Sequence, residues 1–119
     1  MRRIVAALAV TGLLALAPAG AAGAGTAEHR ASRIDMIRIA GFTFYPNDPR
    51  VSAGQVVSVK NYDWGFFMEP HTLTAIDGSF NTGLITADVE TFVAPTTPGR
   101  YQFKCLIHPN MRGLLMVRP

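Results

Sequence analysis

The sequence predicts an all-β domain, an antiparallel sandwich of two sheets with about seven to eight strands, and three observations predict it. Beyond the N-terminal segment no stretch carries a helical period flanked by caps. Turn signals recur at short intervals, at Asn47-Asp48-Pro49, Asp77-Gly78 and Pro98-Gly99. The runs between them are strand-like, most cleanly Arg100 to Cys105, where Tyr101, Phe103 and Cys105 alternate with Arg100, Gln102 and Lys104.

The first residues read as an address rather than as part of the fold. Met1-Arg2-Arg3 is basic, Ile4 to Ala17 is apolar except for Thr11 and Gly12, and Ala19 to Gly25 is made of small residues. That is the pattern of a secretory signal peptide, too short in its apolar core to span a membrane. Cleavage after Ala21, Ala22 or Ala24 fits, and Ala24 is taken as the boundary, which gives a signal over 1–24, a flexible leader over 25–33 and a domain over 34–119. The twin arginine raises the question of Sec or Tat export. No cysteine near the cleavage region offers a lipid anchor. The chain carries a net +3, but Arg2 and Arg3 leave with the signal, and a near-neutral remainder gives no reason to expect nucleic acid or a membrane surface as a partner. An exported monomer, periplasmic or extracellular, is expected.

Taken in order, the leader Gly25 to Arg33 is polar and its His29 reads as a solvated terminal residue. Ile34, Met36 and Ile37-Arg38-Ile39 make a first strand, which Phe42 to Tyr45 extends to a stop at Pro46. Gln55 to Asn61 is rich in β-branched residues. His71 to Ile76 is the next strand, with His71, Leu73 and Ala75 on its inner face. Short pieces follow around Phe80, Leu84 and Ile85, then Asp88 to Val93 anchored by Val89 and Phe92. Arg100 to Cys105 and Arg112 to Pro119 close the sandwich.

Between the last two strands lies the densest chemistry in the chain. Cys105-Leu106-Ile107-His108-Pro109-Asn110-Met111 holds the single cysteine, one of three histidines and a methionine. Thiolate, imidazole and thioether are soft to borderline donors that suit copper, and two histidines, a cysteine and a weak axial methionine make a blue-copper electron-transfer centre. His71, at the mouth of an inner strand, is the candidate second histidine. A lone thiol in an exported chain also needs protection, by burial or by a metal. Read singly, Cys105 is a small buried hydrophobe and Met111 a core filler. Read together, at C-x2-H-x2-M spacing across a strand, loop and strand, they point to a metal.

The segments Pro70 to Ala75, Asp77 to Phe80, Thr82-Gly83, Pro98 to Cys105 and His108 to Gly113 resemble the small cupredoxins of the plastocyanin and amicyanin type, the ligand loop having the short amicyanin form. The resemblance implies a Greek-key β-sandwich, one copper ion cycling between Cu(II) and Cu(I), His71, Cys105 and His108 as equatorial ligands, and Met111 as the axial one. It implies a soluble one-electron carrier between a redox donor and acceptor, not an enzyme. The family also suggests that Asn61 ties the His71 loop to the ligand loop and that the Thr72 N–H bonds the Cys105 sulfur. Many relatives have proline where this chain has Ile107, so a second N–H bond to sulfur is expected from Ile107.

The aromatic loop Tyr62 to Pro70 is read for most of its side chains as a cap on the core. With Leu106, Ile107 and Pro109, its Trp64, Phe66, Phe67 and Met68 could instead build an apolar docking patch near His108, and Met68 is a second candidate sulfur. Two other functions fit parts of the pattern: copper storage or delivery without a fast redox role, and a zinc-held interaction module, against which the methionine argues.

Overall fold

The computed structural model describes residues 33–119. The expected signal peptide, its cleavage site and His29 lie outside the described residues. Among the described residues, eight strands build two four-stranded sheets. The first sheet has the order β2 (Thr43–Tyr45), β1 (Met36–Ala40), β4 (Val56–Asn61), β6 (Val89–Val93), and the second β3 (Arg50–Ser52), β8 (Arg112–Arg118), β7 (Gly99–Lys104), β5 (Thr74–Ala75). The all-β sandwich is as expected. The sheets are mixed, however: β1 runs parallel to β4 and β3 parallel to β8, while the other pairs are antiparallel.

Alternation explains which side chains fill the space between the sheets. Ile37 and Ile39 of β1 and Val57 and Val59 of β4 face Phe103 of β7 and Leu115 of β8, all fully buried. Phe44 meets Phe103 edge to face at 5.1 Å, and Phe80 stacks on Phe92 at 4.8 Å. Gly113 lies across from Phe103 in the β7–β8 ladder, where an added Cβ would come within 2.2 Å of the ring, so only glycine lets the two strands close here. The β7–β8 hairpin that carries the candidate ligands therefore rests on a tightly packed base.

Four expectations change. The first strand is two, because Gly41 and Phe42 both take positive φ (57° and 59°) and turn the chain back as a two-residue hairpin between Ala40 and Thr43. The strand expected over His71 to Ile76 shrinks to β5, with single bridges from His71 to Ile85 and from Thr74 to Asn81. The N–H groups of Thr72 and Leu73 go to Cys105 Sγ and Thr82 Oγ1 instead of to a ladder. Val89 is exposed, so Phe92 alone anchors β6. Finally, the aromatic loop contains one helical turn, α1 (Trp64–Phe67), ended by Met68 in the left-handed conformation. Instead of capping the core, it leaves Phe66 82% exposed, with Phe67 and Met68 also outward.

Parallel pairing of β1 with β4 decides what meets at one pole. Ile39 pairs with Asn61, and the Tyr62 N–H donates to the Ile39 carbonyl at 2.9 Å. The Gly41-Phe42 turn and the start of the aromatic loop thus emerge side by side. The end of β7 and the start of β8 flank the ligand loop that joins them, and the loop meets that turn where the Phe42 ring reaches His108.

Candidate metal centre

His71 enters the site on a backbone bridge: its N–H and C=O pair with the C=O and N–H of Ile85 at 3.2 and 2.7 Å. Its ring is fully buried. Cys105 follows β7 directly, in the inward register of Tyr101 and Phe103, and is fully buried too. The loop after it folds into a tight turn, with the Met111 N–H donating to the His108 carbonyl at 2.9 Å and the Cys105 N–H to the Met111 carbonyl at 3.0 Å. His108 sits on that turn with its side chain 26% exposed, while Met111 is buried beside it.

These residues converge. His71 Nδ1 lies 3.1 Å from His108 Nδ1, and Cys105 Sγ lies 3.9 Å from each of these nitrogens. Donor distances of about 2.0–2.1 Å for imidazole and 2.3 Å for thiolate, as in zinc sites, let one ion touch all three atoms. The residues therefore fit a single metal ion, and the soft sulfur with two imidazoles and a buried methionine alongside suits copper. Among the described residues, this is the cluster of metal-binding side chains that stands out.

The surroundings orient the donors. Asp63, almost wholly buried, accepts the Gly41 N–H at 2.6 Å and the Phe42 N–H at 2.9 Å, and its Oδ2 lies 2.9 Å from His71 Nε2. Burial alone would raise the Asp63 carboxyl, but the hydrogen bonds from Phe42, Gly41 and His71 outweigh it and hold the group below its usual range. His71 is also held below its usual value, because burial disfavours the imidazolium more than Asp63 favours it. The pair is thus a carboxylate and a neutral imidazole. In that state Nε2 carries the proton and donates it to Asp63, which leaves the Nδ1 lone pair facing His108 and Cys105.

Thr72 joins the two halves of the site. Its N–H donates to Cys105 Sγ at 3.3 Å, as expected, and its hydroxyl accepts the Leu106 N–H at 2.9 Å. Ile107 makes no hydrogen bond to the sulfur among the described residues, so the second N–H bond expected there does not form. Asn61 closes the aromatic loop on itself rather than bridging to the ligand loop. Its amide donates to the Glu69 and Ile85 carbonyls at 2.8 and 3.0 Å, and its Oδ1 accepts the Asp63 N–H at 2.9 Å.

Compared with solved structures, the sandwich superposes on a reduced tryptophan-to-tyrosine mutant of amicyanin with a TM-score of 0.60 at 21% identity, over 73% of this chain and 83% of that one. An oxidised methionine-to-leucine mutant of amicyanin gives 0.60 at 19% identity, over 74% and 83%. The fold is that of a cupredoxin. A copper-containing nitrite reductase from Thermus scotoductus SA-01 matches with a TM-score of 0.61 at 27% identity over 71% of this chain, which spans only 22% of that larger one. No protein-family model and no curated protein sequence matches the chain.

Within the cupredoxin fold, two residues beside the donors escape a reading of the sequence. One is Asp63, whose signal was a single carboxylate set between Asn61 and a run of aromatic residues. The other is Phe42, whose ring stands edge-on to His71 at 5.6 Å and to His108 at 5.0 Å between centroids. Its signal was the glycine before it, inside an apparent strand.

Proposed function

We propose that this chain is an exported, mononuclear type 1 copper protein that carries single electrons between redox partners. The observation that carries this reading is the convergence of His71 Nδ1, Cys105 Sγ and His108 Nδ1 at one pole of the sandwich. Under it His71, Cys105 and His108, with Met111 beside them, would hold the copper ion. Copper supplies a one-electron couple when bound, and a weak thioether contact favours its reduced form.

The chain's own part is to hold that couple still and dry. Cys105 and His71 are fully buried, and Phe42, Ile107, Pro109 and Asn110 surround His108 and Met111 at the surface. His108 is the one donor with an edge toward solvent, so electrons leave and enter there. Exposed Phe66, Phe67, Met68, Leu106 and Ile107 form the apolar face on which a donor and an acceptor dock in brief encounters. The protein acts as a monomer and is not an enzyme. The N-terminal segment supports export as a signal peptide, and among the described residues no helix is long and apolar enough to cross a membrane.

Copper loading followed by absorption spectroscopy and voltammetry tests the reading. An intense visible thiolate-to-Cu(II) band that disappears in Cys105→Ser, with a reversible one-electron couple, is the expected result. A colourless protein that takes Cu(I) and passes it to an acceptor points instead to copper delivery. Tight zinc binding with no visible band with copper would reject both.

A further inference from the structure

Asp63 is a buried carboxylate whose hydrogen bonds reach in two directions. Both of its oxygens accept backbone N–H groups of the β1–β2 turn, at 2.6 and 2.9 Å, and Oδ2 also takes His71 Nε2 at 2.9 Å. These bonds cross 21 and 22 residues backward and 8 forward. The turn they hold is one that disfavours its own residue, since Phe42 sits in left-handed backbone at φ 59°, where a side chain with a Cβ crowds the backbone. That conformation is what places the Phe42 ring against both histidines.

The carboxylate is itself held fast. Its backbone N–H donates to Asn61 Oδ1, and the Asn61 amide is fixed by two carbonyls, those of Glu69 and Ile85. Asp63 begins helix α1 yet spends no side-chain bond on capping it. A residue kept only for local structure would cap that turn. Here the side chain is committed to the hairpin and to the ring.

We propose that Asp63 is a positioning residue that sets the His71 imidazole and the Phe42 ring as one unit: it fixes His71 with its proton on Nε2 and its lone pair on Nδ1, and it holds Phe42 as a lid over His71 and His108. This inference rests on the copper-site reading for its redox consequence, but not for its structural one. The carboxylate makes the imidazole a stronger donor and so favours the oxidised metal. An asparagine here could accept through one oxygen only, and its amide would face the turn's N–H groups with donors of its own.

Two measurements on the full chain test it separately. In the metal-free wild type, nitrogen NMR of the histidine rings should show His71 as the Nε2–H tautomer, and Asp63→Asn should lose that single form. A wild-type His71 that carries its proton on Nδ1, or that exchanges freely between tautomers, overturns the clamp whatever the metal. In the copper-loaded protein, Asp63→Asn should weaken copper binding by about 10–100-fold and raise the reduction potential, while Asp63→Glu recovers part of both. The double variant with Phe42→Ala should show less than the sum of the two single effects on the potential, as expected for groups that act together. A change confined to thermal stability, with affinity and potential at wild-type values, would reduce Asp63 to a structural residue and overturn the proposal. Failure of the wild type itself to give a thiolate-to-copper band sinks the copper reading and leaves the NMR result standing on its own.

Discussion

The two histidines at the centre differ in every respect except the atom they present. His71 is buried, bridged to Ile85 through its backbone and bonded through Nε2 to a buried carboxylate. His108 sits on a surface turn, with Glu69 Oε2 3.5 Å from its Nε2 and both side chains partly in solvent. Both direct Nδ1 inward. One histidine is thus built into the fold as a fixed wall of the site, and the other is offered to whatever approaches. The wall comes from the segment that crosses from β4 to β5 and the door from the β7–β8 loop, so the two enter the site on separate stretches of chain.

The sharpest way to break that contrast is to truncate each ring. His71→Ala should abolish copper binding and also strip the buried Asp63 of a partner, which costs about 1–3 kcal/mol of stability. His108→Ala should abolish the visible band while the metal-free stability stays within about 0.5 kcal/mol. Urea unfolding of both metal-free variants reads the difference, and equal losses would erase the distinction between wall and door.

Next in size is the base under the ligand hairpin. Gly113→Ala drives a methyl group into Phe103 and should cost about 1–3 kcal/mol by overpacking. It should broaden the copper spectrum as well, because the β7–β8 hairpin carries Cys105 and His108. Thermal melting and the width of the visible band are the measurements, and a narrow band with a lowered Tm would show the loop insulated from its base.

Acid should act on the buried side. His71 and Asp63 both have folded-state values below their ordinary ones of 6.5 and 3.8. The unfolded chain then binds more protons than the folded one, so stability rises with pH. As pH falls below 6.5, stability should begin to drop through His71, and it should drop again below 3.8 through Asp63. Urea midpoints of the metal-free protein across that range check this, and Asp63→Asn should make the lower step smaller, leaving the part that belongs to Asp77, whose carboxyl is also held below its usual range by hydrogen bonds from Ser79. Metal binding should also weaken on acidification, since each imidazole must be unprotonated to bind.

The smallest expected effect on the fold is on the outer face. Phe66→Ser removes an 82% exposed ring and should leave stability within about 0.5 kcal/mol. Electron exchange with a redox partner that uses the apolar face should slow nonetheless. Stopped-flow kinetics beside an unfolding curve separates the two, and an unchanged rate removes Phe66 from the docking surface.

The parts legible in the sequence were those written in periodicity and in donor chemistry. The alternation of Tyr101, Phe103 and Cys105 located the last inward side chain of β7, and the spacing from Cys105 through His108 placed two donors on one turn. His71 was legible as well, through the inner-face pattern it shares with Leu73 and Ala75. What escaped was set by long-range backbone pairing. The alternation in β1 and β4 does not say which strand each pairs with, so nothing near Asp63 announced that its carboxylate would meet a turn 21 residues away. The exposure of Phe66 and Phe67 escaped for a related reason: an aromatic run carries the same composition whether it faces a core or solvent. Thr72 lies between the two cases, because its N–H bond to sulfur came from the resemblance while its hydroxyl bond to Leu106 was visible only in three dimensions.

The parallel register of β1 and β4 also orders events in time. The nitrogens of His71 and His108 meet across 37 residues of chain, and the carboxylate behind His71 reaches back 22 more positions from its own place. Contacts of such span form only once the sandwich has closed, because the entropy of closing the intervening loops must be met first. An unfinished chain therefore offers a metal only the local donors between Cys105 and Met111, and the site completed by His71 comes into being only with the finished fold. Metal capture is then a late step, one that locks in a structure already made, and it should stabilise the protein in proportion to the logarithm of free metal once that exceeds the dissociation constant.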